Sequence, residues 1–264
     1  MKLALLVASA LAACGSDHGK APPPSPPVTT TDAGAAATAA PKPFRVDAPE
    51  LIVGVIDDWT STTVSLRRWE RAADRSWEPI HDAWPGVIGK AGAAWGDGLH
   101  GHGAPPGRGG PIKREGDKAA PAGVFALRKT YGYAAGAQAS LGYQPVGPTW
   151  ECVDDPTSTH YTQIVDRSKI ASPDWTSFET MRRDDDLYTW VVDIAHNPAA
   201  TPGGGSCIFF HVWGGEDVPT VGCTAMSEIK LARLIAEIDP KTQYVLLPRA
   251  EYQALAKSWG LPPL

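Results

Sequence analysis

Two residues in this chain have the types and spacing for nucleophilic chemistry. Cys223 sits in Pro219-Thr220-Val221-Gly222-Cys223-Thr224, a short loop after the apolar run Cys207-Ile208-Phe209-Phe210-His211-Val212-Trp213. A cysteine attacks as its thiolate, and a free pKa of about 8.5 leaves only a few per cent ionised at neutral pH. His211 is the candidate base that would take the thiol proton. The segment after Cys223 reads as helical, and a helix N-terminus would add a potential favouring the anion. Gly222 has no Cβ, so the backbone there can approach a substrate carbonyl closely. The backbone of Val221, Gly222 and Cys223 is therefore the candidate oxyanion hole. The same residue types also describe a small cysteine in a turn and a histidine satisfied in a core. Spacing alone leaves both readings open.

The run 207–213 reads as a strand, which would fix His211 on one of its faces. Ser227 can N-cap a helix in which Leu231, Leu234, Ile235 and Ile238 share a face, and Asp239-Pro240 ends it. Gln243-Tyr244-Val245-Leu246-Leu247-Pro248 then reads as a strand. Upstream, Leu51–Ile56 is strand-like, and the alternating Thr63–Trp69 can pair with it as a hairpin. Gly86–Gly89, Val124–Leu127 and Thr189–Ile194 are further strand candidates. Between Gly96 and Pro111 lies a Gly/Pro-rich loop with no regular pattern. Strands dominate over helices, so the expected fold is mainly β or α+β.

Phe209-Phe210-His211-Val212-Trp213 followed by Thr220-Val221-Gly222-Cys223-Thr224-Ala225-Met226 resembles the signature of the L,D-transpeptidase catalytic domain family, cysteine enzymes of bacterial cell walls. Further blocks resemble one branch of that family: Gly110-Pro111-Ile112-Lys113-Arg114-Glu115-Gly116-Asp117, Pro121-Ala122-Gly123-Val124-Phe125, Glu151-Cys152-Val153-Asp154-Asp155-Pro156 and Gly205-Ser206-Cys207. Glu179 and Met181 also match that branch, with no chemistry assigned to them. Together these matches span Leu51 to Tyr252.

The resemblance implies a β-sandwich with a few short helices and a reaction at the amide between L- and D-configured residues of a tetrapeptide stem. An acyl thioester would form on Cys223 and a D-Ala would leave. A second stem amine, a lipoprotein amine or water would then resolve the thioester. His211 would be the general base, oriented by a backbone carbonyl near Val212. One departure is Val221, where many members carry a second histidine before Gly-Cys. Rival readings are an L,D-carboxypeptidase or endopeptidase using the same site, and a non-catalytic wall-binding lipoprotein. A zinc peptidase is a weaker third, lacking His-x-x-x-Asp or His-Glu-x-x-His.

Other residues invite weaker readings. Lys113 and Arg114 can meet substrate carboxylates or be surface charges, and Thr220 and Trp213 flank the nucleophile loop as candidate substrate contacts. Trp175 and Tyr161, like Trp213, read as core or cleft-wall aromatics. His100-Gly101-His102 invites a metal reading, but it lies in a Gly/Pro loop without an acidic or Cys ligand at zinc-site spacing, so the expectation is an exposed loop pair, with no metal and no cofactor. Asp184-Asp185-Asp186 reads as a solvated turn. Of four cysteines, setting aside Cys223 and Cys14 leaves Cys152 and Cys207, a candidate disulfide in an exported protein.

Export is indicated by the first residues. Lys2 precedes the apolar Leu3–Ala13, too short to span a bilayer, so 1–13 reads as a signal peptide. Leu11-Ala12-Ala13-Cys14 resembles a bacterial lipoprotein processing site, which makes Cys14 the lipidation residue and the membrane a partner. Gly15 after Cys14, in place of Asp, resembles an outer-membrane address in Gram-negative sorting. Residues 14–45, rich in Ala, Pro and Thr, read as an extended tether, and 46–264 as the catalytic domain. A net charge of −5 with no basic block excludes a nucleic-acid surface. The expected partner is the peptidoglycan stem peptide, met by a monomer in the periplasm or cell envelope.

Overall fold

Apolar residues recurring with period two build most of the folded chain into strands. The computed structural model describes residues 43–264, so the leader, Cys14 and nearly all of the tether lie outside the described residues. In chain order the strands are β1 (Glu50–Ile56), β2 (Thr63–Arg71), β3 (Trp77–Val87), β4 (Ala93–Trp95), β5 (Asp97–Gly98), β6 (Gly101–His102), β7 (Ala120–Gly132) and β8 (Tyr143–Pro145). They continue as β9 (Trp150–Val153), β10 (Ile164–Asp166), β11 (Phe178–Thr180), β12 (Trp190–Ile194), β13 (Phe209–Val212), β14 (Thr224–Met226) and β15 (Gln243–Pro248). The helices are α1 (Glu228–Glu237) and α2 (Arg249–Trp259). The fold is mainly β with few helices.

The strands β12-β13-β14-β3-β2-β1-β15-β7 run side by side, and β12 pairs again with β7. The expected layers are thus one continuous sheet whose ends meet. Long β7 makes this closure: Gly123 to Ala126 face β15, while Leu127 to Gly132 face β12. β4 and β8 attach to β7 as well. A separate small sheet, β10-β9-β11, lies outside this circuit.

Alternation along β12 and β13 divides the interior in two. Val192, Phe210 and Val212 join the main core with Tyr244, Leu231 and Leu234. Val191 and Phe209, on the opposite face, join Tyr131, Cys152, Met181, Tyr188, Cys207 and Cys223. A disulfide between Cys152 and Cys207 ties β9 to the segment entering β13. Met181 is a fully buried member of this second core, and Trp175 is buried with its indole N–H on Glu151.

Several elements differ from the sequence expectation. β3 starts at Trp77, earlier than Gly86, because it forms a long hairpin with β2, and Gly89 instead bridges to Thr220. β13 is confined to Phe209–Val212. The loop 96–111 contains the two-residue ladder of β5 and β6. Ser227 stands at the N-cap of α1, yet its side chain makes no capping bond. α2 was not expected. Its Tyr252, Leu255 and Trp259 share a buried face, and Gly260 closes it at φ 68° with its N–H on the Ala256 carbonyl. Phe44 packs edge-on against Trp259 at 5.1 Å between ring centres, so packing begins ahead of residue 46.

The cross-link closes a loop of 55 residues, a length at which disulfides contribute about 2–4 kcal/mol. Cys152→Ala is expected to lower the unfolding free energy by about that amount in urea denaturation. A variant as stable as the parent in oxidising buffer contradicts the cross-link.

Candidate active site

The parallel pairing of β13 with β14 brings the two chemical residues together. His211 lies opposite Ala225 and Phe210 opposite Thr224. Cys223, two residues before Ala225, therefore shares the face of Phe209 and His211 as a diagonal neighbour of the imidazole. Its Sγ accepts the Phe209 N–H at 3.3 Å, and its S–H points at the Cys207 carbonyl oxygen at 3.5 Å. No hydrogen bond joins Cys223 to His211 among the described residues. Catalytic contacts of this kind are often made only once substrate is bound.

Cys223 is not at a helix mouth. β14 and Ser227 separate it from α1, so the expected potential of a helix N-terminus does not act on the thiol. The local turn is held by Thr220 instead. Its hydroxyl accepts the Gly222 N–H at 3.1 Å and donates to the Cys223 carbonyl at 2.7 Å. That pair of hydrogen bonds explains a hydroxyl residue three positions before the cysteine. It also occupies the Gly222 N–H, which in this state is not a free oxyanion donor. Gly222 adopts φ 148°, a region that strains any residue with a Cβ.

His211 is fixed by the following residue. Its Nδ1 stands 2.7 Å from the Val212 carbonyl oxygen. A carbonyl can only accept, so Nδ1 carries the proton and Nε2 is left as the base. Burial pushes the imidazole pKa down to about 4, with Arg183 acting the same way and the Val212 bond and Asp185 opposing. Burial likewise pushes the Cys223 thiol well up, helped by Glu179 and opposed by the Phe209 N–H and Lys113. The resting pair is a neutral thiol and a neutral imidazole.

Each partner opens into its own chamber. His211 lines a pocket of about 270 Å³ with Arg183, Leu187, Tyr188, Trp213 and Val218. Cys223 lines one of about 210 Å³ with Lys113, Glu115, Asp154, Glu179 and Ser206. Val221, 59% exposed, belongs to the walls of both. Thr220 and Trp213 lie in the imidazole chamber.

Supporting residues converge on these chambers from distant sequence. Tyr188 packs against Phe209 and His211, with ring centres 5.9 and 5.3 Å away, and its hydroxyl donates to Glu179 at 2.7 Å. Glu179 thus has a structural partner and a place beside the thiol, neither visible in the sequence. Tyr161 and Ser206 both donate to Glu115, at 2.5 and 2.7 Å. This joins the 110–117 block to the Gly205-Ser206-Cys207 block. Lys113 is buried and donates to Asp117 at 2.6 Å and to the Arg114 carbonyl at 2.7 Å. Arg114 is exposed and lines neither chamber. The histidine pair divides: His100 sits among Phe44, Trp95, Phe125 and Trp259, while exposed His102 pairs with Asp97 at 2.7 Å. No three His, Cys, Asp or Glu side chains are grouped to hold a metal among the described residues. Asp185 pairs with Arg183, the one member of the Asp184-Asp185-Asp186 run with such a role among the described residues.

Comparison with protein-family models returns no match, and comparison with curated proteins returns none.

Because burial disfavours the thiolate, alkylation of Cys223 by iodoacetamide is expected to be slow at pH 7 and to rise without a plateau through pH 9. His211 is expected to stay neutral as pH falls and to titrate only near 4 by NMR. A plateau in alkylation between pH 5 and 7, or a His211 midpoint near its usual 6.5, contradicts the neutral pair.

Proposed function

We propose that this chain is a cysteine acyltransferase of the L,D-transpeptidase type, acting on the stem peptides of peptidoglycan. The observation that carries the reading is the pairing of Cys223 with His211 on one sheet face, each open to a chamber of its own across Val221. In the proposed reaction Cys223 Sγ attacks the carbonyl carbon of the L–D amide while His211 Nε2 takes the thiol proton. The C–S bond forms, the C–N bond breaks, and His211 returns the proton to the leaving amine. An acceptor amine then attacks the thioester, its proton passes to Nε2, and the thiol is restored. The Cys223 N–H is the backbone donor best suited to the developing oxyanion, with Gly222 able to join if Thr220 releases it.

Two chambers favour transfer between two substrates over simple hydrolysis. Hydrolysis of the same thioester by water would give an L,D-carboxypeptidase. The Thr220 bonds and the His211–Val212 contact argue for a working site over a degenerate wall-binding one. The Cys152–Cys207 disulfide fits an oxidising compartment. It agrees with export of a chain anchored through Cys14 and spaced from the membrane by residues 14–45. No helix among the described residues is long and apolar enough to cross a membrane.

Incubation with tetrapeptide muropeptides, followed by mass spectrometry, tests the reading. Dimers joined between two diaminopimelates are expected, with loss of D-Ala. Cys223→Ala is expected to abolish turnover, and His211→Gln to lower it by roughly 10²–10⁴-fold, the range for a lost general base. Tripeptides alone would assign the carboxypeptidase reaction. Undiminished turnover by Cys223→Ala would overturn the proposal.

A further inference from the structure

The chamber around His211 is mainly apolar, walled by Leu187, Tyr188, Trp213 and Val218, and Arg183 is the one cation that lines it among the described residues. Asp185 holds that guanidinium along one edge. Nε donates to both carboxylate oxygens at 2.9 and 3.1 Å, and Nη2 donates at 2.7 Å. A guanidinium has five N–H donors. Both hydrogens on Nη1 and one on Nη2 are left without a side-chain or backbone acceptor among the described residues. The guanidinium carbon lies 5.2 Å from the Tyr188 ring centre, and that ring lies 5.3 Å from His211. Tyr188 is itself held by Glu179. Arg183 is therefore a fixed planar cation one aromatic ring away from the base, with an unused edge of the shape that binds a carboxylate. The other nearby cations lie away from the base: Lys113, bonded to Asp117, and the exposed Lys118 line the thiol chamber, and Arg114 lies outside both chambers.

We propose that Arg183 is the carboxylate-binding residue of the His211 chamber. It takes the free α-carboxylate of the amino acid on the leaving side of the scissile amide. This assignment rests on the acyl-transfer reading above. When the C–S bond forms and the C–N bond breaks, His211 gives its proton to the leaving nitrogen, so the leaving residue must lie in the chamber of His211. In an α-amino acid the carboxylate is one carbon away from that nitrogen. A volume of about 270 Å³ is at the small end for ligand pockets, which suits one small amino acid. Arg183 then makes the enzyme select the terminal amide of a stem over an interior one. An interior residue presents an amide at that point and forgoes the charge-assisted pair.

Two acyl donors of identical sequence, one ending in a free carboxylate and one in a carboxamide, test this with the full-length protein. The parent enzyme is expected to prefer the carboxylate donor in kcat/KM by roughly 10- to 100-fold, the span of a charge-assisted hydrogen-bond pair. Arg183→Gln is expected to bring the carboxylate donor down to the level of the carboxamide donor, chiefly through KM. Arg183→Lys is expected to recover part of the preference. A parent enzyme indifferent to the terminal group overturns the assignment. So does an Arg183→Gln variant that keeps the preference, or one that lowers both donors equally along with its thermal midpoint, since Arg183 would then only brace Asp185. Failure of the parent enzyme to turn over either donor overturns the acyl-transfer reading itself, and the assignment with it.

Discussion

The parallel pairing of β13 with β14 is the constraint on which the site depends. Parallel neighbours cannot be joined by a tight turn, because the chain must travel back to the starting end of the second strand. Here residues 213–223 make that return without a helix. They carry Trp213, Val218, Pro219, Thr220, Val221 and Gly222 past the strand ends, and these residues wall the two chambers. The arch is pinned at both ends. Trp213 N–H donates to the Met226 carbonyl at 2.9 Å, and Thr220 N–H to that of Ile88 at 2.8 Å. The same pairing that sets the register of His211 against Ala225 thus also builds the cover over the thiol.

The charge distribution follows from burial. Burying a thiol and an imidazole in the second core disfavours both ionised forms, so the pair rests neutral, and in the proposed reaction the proton moves only when the substrate is attacked. Lys113 and Glu179 act on the thiol with opposite sign. Val221, just before Gly222-Cys223, contributes no charge. It stands as an exposed apolar wall between the two chambers. Thiolate stabilisation therefore falls to the Phe209 N–H and the fixed cation of Lys113 rather than to a neighbouring imidazole.

Local periodicity made much of this legible in the sequence. The β1–β2 hairpin, β15 and the buried face of α1 follow from alternation and 3.6-residue spacing, and the Cys152–Cys207 link followed from cysteine arithmetic. What depended on distant contacts was hidden. The β7–β12 pairing closes the sheet across about sixty intervening residues, and no local pattern reports it. β14 is three residues long, so the apolar stretch after Cys223 read as the start of the helix. α2 carries a usable signal in Tyr252, Leu255 and Trp259 ahead of Gly260, masked by the strand-like run that precedes it. Arg183 sits in Arg182-Arg183-Asp184-Asp185-Asp186, which looks like a solvated charge run. Only the fold shows that one arginine of it faces the imidazole chamber.

The central claim is that Cys223 carries the acyl group between the two chambers. Intact-mass measurement of the protein, acid-quenched within the first turnovers with a tetrapeptide donor and no acceptor, tests it most directly. The account predicts an added mass equal to the donor less its terminal residue, mapped to the Cys223 peptide and released by hydroxylamine as expected for a thioester. Product formation with no such adduct, or an adduct on any other residue, would contradict it.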